Sequence, residues 1–164
     1  EWIISKTGNK NVIIRVLDVS DLDSVRKFAK ETLEKEERLD VLINNAGVGV
    51  PTRQESKQGF ELTYATNHLG HFLLTNLLLG FLRKSGPSRV VNVSSMGHKW
   101  DHLDLDDLNY KKRTYNWFNA YNQSKLCNIL FTKELAHYMN GKGMYKFKVI
   151  IIVIIIIILI SVSI

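Results

Sequence analysis

An α/β fold built on a parallel sheet is what this sequence predicts, and three observations predict it. Short β-branched runs alternate with amphipathic segments of helix length, the pattern of βαβ units. The 164 residues are 45% hydrophobic and 23% charged, which suits one domain with a real core and excludes a disordered chain. The ends of the three expected strands carry small or polar residues: Asp18, then Asn45-Ala46-Gly47, then Ser94-Ser95. In open parallel sheets ligands bind at the carboxyl ends of the strands, and a bound nucleotide needs small and polar groups there.

The elements follow in order. Asn11 to Val19 contains Val-Ile-Ile-Arg-Val-Leu-Asp-Val, the pattern of a buried strand over Val12–Val16 that ends in polar residues. Ser20 starts a capping box with Asp23. Leu22, Val25, Phe28, Ala29 and Leu33 then recur at helical spacing, with Lys and Glu on the other face. Asp40–Ile43 is the second strand, stopped by Asn44-Asn45-Ala46-Gly47. Phe60 to Phe81 reads as a long helix with Leu62, Ala65, Leu69, Phe72 and Leu73 on one stripe, broken by Gly86-Pro87. Arg89–Val93 is the third strand and runs into Ser94-Ser95. A polar loop holding Trp100 and Trp117 leads to a helix from Ala120 to Met139, ended by Gly141 and Gly143. From Val149 to Ile160 the chain is an unbroken run of Val, Ile and Leu. As a helix the sixteen residues from Val149 span about 24 Å, short of the hydrocarbon core of about 30 Å. A weak membrane anchor, a buried strand and non-native read-through all stay open for this tail. Part of Lys146–Ile160 is expected as a strand parallel to Arg89–Val93, with the preceding helix as a right-handed crossover and both strand faces buried.

Other features exclude functions. The net charge of +6 is spread among interleaved acids, without a basic stripe carrying aromatics, so nucleic acid is not an expected partner. The single cysteine, Cys127, cannot make an internal disulfide, which favours a reducing compartment. Asn92-Val-Ser94 and Asn122-Gln-Ser124 match the glycosylation pattern but fall in elements that must pack. The chain opens at Glu1-Trp2 with no apolar signal stretch and reads as the middle of a longer protein. His68 and His71 are spaced as a metal pair, but no third ligand is evident and a packed helix face is the better reading; no metal is expected. Asp101 to Asp107 reads as a solvated acidic loop.

The chemistry centres on Tyr121-Asn-Gln-Ser-Lys125. On a helix, residues i and i+4 share a face, so phenol and ammonium point the same way. A free tyrosine, with a pKa near 10, is a poor acid–base catalyst at neutral pH. A nearby ammonium favours the phenolate and pulls that value down. Taken alone, the spacing is equally that of an ordinary helix surface.

The wider context changes the weighing. Leu17-Asp-Val-Ser-Asp21, Asp40-Val-Leu-Ile-Asn-Asn-Ala-Gly-Val48, Asn67-His-Leu-Gly-His-Phe-Leu-Leu74, Arg89-Val-Val-Asn-Val-Ser-Ser95 and the stretch from Ala120 to Ala136 occur in one order on the right elements. Together, from about Asn11 to Gly143, they resemble the short-chain dehydrogenase/reductase family, and within it the retinol dehydrogenase branch. The resemblance implies a partial Rossmann-type, doubly wound parallel sheet lacking its first two strands. It implies an NAD(P)-dependent oxidoreductase passing a hydride between a nicotinamide cofactor, NADP(H) ahead of NAD(H), and a lipophilic, retinoid-like alcohol or aldehyde. By the same resemblance Tyr121 is the general acid/base. Lys125 lowers its pKa and holds the nicotinamide ribose, and Ser95 hydrogen-bonds the substrate oxygen, with Ser94 the near alternative. Asn67 anchors a proton-relay water, Asp18 meets the adenine edge, and Asn45, Ala46 and Gly47 let the ribose approach closely.

The sequence also departs from that family. The resemblance calls for a glycine-rich turn at a helix N-terminus to cradle the pyrophosphate, and Thr7-Gly8-Asn9 is only a turn. No Pro-Gly turn follows Gly143. These departures imply a domain cut short at both ends over residues 1–148, a tail over 149–164, and a chain that does not turn over substrate by itself. The alternative function is a non-catalytic fragment or membrane-tethered interaction module. Membrane association stays open, localisation is expected inside the cell, in the cytoplasm or on the cytoplasmic face of an organelle membrane, and oligomeric state is not legible. Trp100 and Trp117 line an apolar substrate pocket or merely pack the loop; both readings stay open.

Overall fold

The computed structural model describes residues 2–100, 102–141 and 147–154. A short helix α1 (Trp2–Thr7) ends at Gly8, whose φ of 69° suits a residue without a side chain. The strand expected over Val12–Val16 does not form. Ile13, Ile14 and Val16 are 72%, 80% and 94% exposed, and only Leu17 packs against the core. An extended segment becomes a strand by pairing, and no described strand lies beside this one.

Helix α2 (Leu22–Lys35) buries Val25, Ala29 and Thr32, while Leu33 stays exposed. Its N-cap is Asp21, which accepts from the Asp23 backbone N–H. The expected cap, Ser20, instead gives its N–H and its hydroxyl to Asp18 Oδ1, so the helix starts one residue later. Strand β1 (Val41–Asn44) follows. The long helix expected from Phe60 is realised as three joined pieces: α3 (Leu62–Tyr64), a π-helical turn (Ala65–Leu69) and α4 (Gly70–Ser85). Glu61 caps it, its carboxylate accepting from the N–H groups of Thr63 and Tyr64. Strand β2 (Ser88–Ser95) runs into a 3-10 turn (Met96–Lys99), and α5 (Trp117–Gly141) precedes β3 (Phe147–Ile154).

The three strands are parallel in the order β1-β2-β3, with Val41 opposite Arg89 and Val91 opposite Ile150. The expectation of a strand beside Arg89–Val93 is therefore met over Phe147–Ile154; Lys146 and residues 155–160 lie outside the described residues, as does Asp101. The boundary drawn between residues 148 and 149 falls inside β3.

Alternation along β2 explains the layering. Val90 and Asn92 point to the helices: Val90 joins Val25, Ala29, Leu74, Leu78, Leu82, Leu135 and Met139 in the core. Asn92 meets Thr132 of α5, and its β1 neighbour Asn44 meets Thr75 of α4. The intervening residues face the other way, where Val41, Ile43, Ile150 and Ile152 are exposed. Among the described residues the helices thus cover one face of the sheet. The expected burial of the β-branched β3 on both faces is not met, because no described helix covers the second face.

Candidate active site

The strand ends of β1 and β2 open toward α5 and the π turn. Asn44 Nδ2 donates to Asn92 Oδ1 at 2.7 Å and to Thr75 Oγ1 at 2.9 Å, so the two strand ends are tied below the site. Above them, Asn67 projects from the π turn, a helix distortion that often marks functional positions. Its Oδ1 accepts from Val48 N at 2.8 Å and its Nδ2 donates to Val48 O at 2.9 Å and Ser124 Oγ at 3.0 Å. Fully buried, Asn67 clamps the loop after β1 onto α5. Both ends of its side chain are thereby occupied by protein groups, and its backbone carbonyl is engaged as well. That carbonyl already meets His71 Nδ1 at 3.2 Å and Asn128 Nδ2 at 3.0 Å.

Ser95, Tyr121 and Lys125 come together although a long loop separates the first two. The Ser95 side chain stands close enough to the Tyr121 phenol to favour its ionised form, and Lys125 Nζ stands 5.4 Å from the Tyr121 ring centroid. Ser94, the near alternative, is turned away: its hydroxyl donates to Lys125 O at 2.8 Å. Ser95 Oγ also accepts from Gly97 N at 3.2 Å, which fixes it at the mouth of the 3-10 turn.

The electrostatics differ from the expectation in one respect. Burial pushes the Tyr121 phenol above its ordinary range, and it is the Ser95 hydroxyl that acts in the opposite sense. The expected pull of Lys125 on that phenol is not seen: its ammonium lies beside the ring and donates to Val93 O over a long 3.4 Å. Burial brings Lys125 itself down to about 8. Burial also holds His71 down to about 4, with its hydrogen bond to Asn67 O working the other way, and lowers His68.

Gly47 lies between the clamp and the amine. A Cβ there would stand 3.2 Å from Asn67 Oδ1 and 3.4 Å from Lys125 Nζ. Asn45 and Ala46 are exposed beside it at the end of β1. Asp18 is exposed on the loop before α2, its carboxylate capped by Ser20, and is not brought into contact with the Tyr121 group. That loop nevertheless reaches the site's scaffold, since Val19 O would be only 1.9 Å from a Cβ on Gly70. His68 stacks on Tyr64 and packs near Phe72 and Phe131, a packed helix face. Gly49 faces both Trp117 and the Tyr121 ring, where an added Cβ would stand 3.6 Å and 3.7 Å from them, and Trp100 stacks on Phe118 with ring centroids 6.0 Å apart. Asn92 and Asn122 of the glycosylation patterns are buried.

Sequence reasoning missed Ser124, Asn128 and His71, which complete the polar network under Lys125. The signal was available in spacing: Asn128 lies i+3 from Lys125 and i+7 from Tyr121, on one helix face.

Comparison with known proteins bears on this arrangement. A family model described as short chain dehydrogenase matches residues 2–104. Human retinol dehydrogenase 13 is 51% identical over 142 residues, 87% of this chain and 43% of that protein. Human retinol dehydrogenase 11 is 49% identical over 147 residues, 90% of this chain and 46% of that protein. The chain therefore spans less than half the length of these curated relatives. An uncharacterized protein from Mycobacterium paratuberculosis, known from a crystal structure, superposes with a TM-score of 0.80 at 43% identity, covering 93% of this chain and 53% of that one. A metagenomic short-chain oxidoreductase in complex with NADP shares the fold at 22% identity and a TM-score of 0.68, covering 93% of this chain and 63% of that one.

Proposed function

This chain belongs to the short-chain dehydrogenase family, and from that premise we propose that it carries the proton-handling centre of a nicotinamide-dependent alcohol/aldehyde oxidoreductase. The observation that carries the reading is the convergence of Ser95 and Lys125 on Tyr121, with the buried ammonium 5.4 Å from the ring centroid and engaged by one long bond to Val93 O.

The residues present fit a nucleotide at its nicotinamide-ribose end. Lys125 brings three N–H donors and uses one on a long bond to Val93 O, and the bare backbone of Gly47 keeps the approach to it open. A ribose diol matches the remaining donors. The bound nucleotide supplies or accepts the hydride at the carbinol carbon. Ser95 holds the substrate oxygen, and Tyr121 Oη gives it a proton in reduction and takes one in oxidation. Burial keeps Tyr121 protonated at neutral pH, which suits it as the acid for carbonyl reduction. Asn67 fixes the Gly47–Val48 loop, and Asn45 and Ala46 line the ribose side. Asp18 belongs to the adenine end. NADP(H) stands ahead of NAD(H) on the branch resemblance alone.

The substrate class follows from two supports. Two curated relatives that share about half their residues with the matched stretch are named retinol dehydrogenases. Trp117 and Tyr121 both face Gly49, and Phe118 packs edge-on to Trp117 and stacks on Trp100. Both suit a lipophilic alcohol or aldehyde. No described helix is long and apolar enough to cross a membrane.

The test is a chimera in which the matched 142 residues replace their counterpart in human retinol dehydrogenase 13. With retinal as substrate, the chimera is expected to oxidise NADPH, followed by loss of absorbance, and to do so faster than NADH. A folded chimera that binds nucleotide but reduces no aldehyde would overturn the reading.

A further inference from the structure

Asn128 holds a position that nothing in the proton-handling scheme uses. It is 4% exposed and lies one helical turn beyond Lys125, on the same face of α5. Its side-chain amide makes three hydrogen bonds to three different places. Nδ2 donates to Asn67 O at 3.0 Å and to Val93 O at 3.2 Å, and Oδ1 faces His68 Nδ1 at 2.9 Å.

The direction of each bond is fixed by what surrounds it. Carbonyl oxygens only accept, so the end of the amide between Asn67 O and Val93 O must be the NH2 group, and both its hydrogens are used. The other end must then accept, which makes the His68 ring donate from Nδ1. Reversing the amide would set its oxygen against two buried carbonyls, an arrangement with no hydrogen bond at either. Asn128 therefore has one orientation, and it binds the π turn, the end of β2 and α5 together.

Val93 O is the point where this reaches the site. Two donors converge on it: Asn128 Nδ2, and Lys125 Nζ at the longer distance of 3.4 Å. A carbonyl has two lone pairs, and the amide takes one of them at closer range. What remains for the lysine is a long contact of 3.4 Å, with its amine beside Gly47, where an added Cβ would stand 3.4 Å from Nζ. Asn67, whose side chain carries that glycine loop, is held from behind by the same amide.

We propose that Asn128 is a positioning residue for Lys125, its amide holding Val93 O and Asn67 O so that the ammonium is presented to the nucleotide side rather than drawn onto the strand. The inference rests on the proposed function for its purpose, but its test does not need turnover. The 164-residue chain is labelled with acetic anhydride at fixed pH, and acetylation at Lys125 is read by mass spectrometry against the exposed Lys30 and Lys35 as internal standards. Cys127, buried on the same helix two residues from Lys125, is read in parallel with iodoacetamide as a reporter of loosening.

In Asn128→Ala the freed carbonyl is expected to capture the amine, and Lys125 acetylation should fall by roughly threefold or more while Cys127 stays protected. Asn128→Leu keeps the shape without adding a charge and loses both donors; its Lys125 labelling should fall likewise. If Cys127 becomes reactive in Asn128→Ala, the shape-conserving Asn128→Leu decides the matter. Unchanged or increased Lys125 labelling in a variant whose Cys127 remains protected would overturn the proposal. So would Cys127 exposure in both variants, since the amide would then be holding the helix as a whole. A second reading uses the chimera. Because Asn128 acts through Lys125, Asn128→Ala should lower kcat by about tenfold in the parent and by less than about twofold when Lys125→Met is already present. Multiplying effects would overturn the inference, whereas a Lys125→Met variant with full activity would instead remove the proposed function on which it rests.

Discussion

At the scale of single residues, the site consists of a few hydrogen bonds between groups that burial has stripped of water. Ser95 is the member whose removal separates proton handling from folding most cleanly, because its hydroxyl meets Tyr121 and a turn N–H but bears no charge. In the chimera, Ser95→Ala is expected to lower kcat for retinal at least about 10²-fold with little change in nucleotide affinity, measured by steady-state kinetics and calorimetry. Titration of His71 belongs to the same scale. Its folded pKa of about 4 lies below the ordinary imidazole value of 6.5, so between these values the unfolded chain binds more protons than the folded one. Stability should therefore be complete above pH 6.5 and decline as pH falls through that window, by on the order of 3 kcal/mol at the acid end. Thermal unfolding from pH 7 to 4.5 checks this, and His71→Gln should flatten the slope. The gathering of Tyr121, Ser95, Lys125 and Asn67 was legible because short motifs carry these residues. The polar partners beneath, Ser124 and Asn128, were not read, although the spacing of Asn128 from Lys125 and Tyr121 on one helix face offered a signal.

At the scale of elements, long periodic segments were readable and unpaired ones were not. The helix expected over Ala120–Met139 is α5, because it buries the face its spacing announces, and the β-branched run after it is β3, because it pairs with β2. Val12–Val16 has the composition of a strand, yet composition supplies no partner, and without one the segment stays irregular. Likewise the π turn at Ala65–Leu69 interrupts a segment whose periodicity reads as one helix. The join to α4 makes its own prediction. Gly70 lets the loop of Asp18 and Val19 lie against the helix, and any Cβ there would strike Val19 O at 1.9 Å, a backbone atom that cannot rotate aside. Gly70→Ala should cost about 1–3 kcal/mol, read from urea unfolding, while Gly80→Ala, with open space around it, should stabilise slightly. Equal effects at the two glycines would contradict the close approach.

At the scale of the whole molecule, among the described residues the helices lie on one side of a three-stranded sheet, and the other side presents Val41, Ile43, Ile150 and Ile152 to water. Exposed β-branched surface of this kind favours association between chains. Replacing Ile13, Ile14 and Val16 together with serine should leave the melting temperature nearly unchanged while reducing light scattering, because these side chains touch little of the core. The 164-residue chain alone is expected neither to bind NADPH or NADH at micromolar concentration nor to reduce retinal. Among its described residues the nucleotide's ribose end has a fit and its pyrophosphate has no glycine-rich helix N-terminus. The central claim, that Tyr121 moves the proton, is tested most directly by Tyr121→Phe in the retinol dehydrogenase 13 chimera, with turnover of retinal and NADPH affinity measured on the same preparation. Loss of turnover by about 10³-fold with nucleotide affinity preserved is the predicted result. Turnover equal to that of the unsubstituted chimera would contradict it.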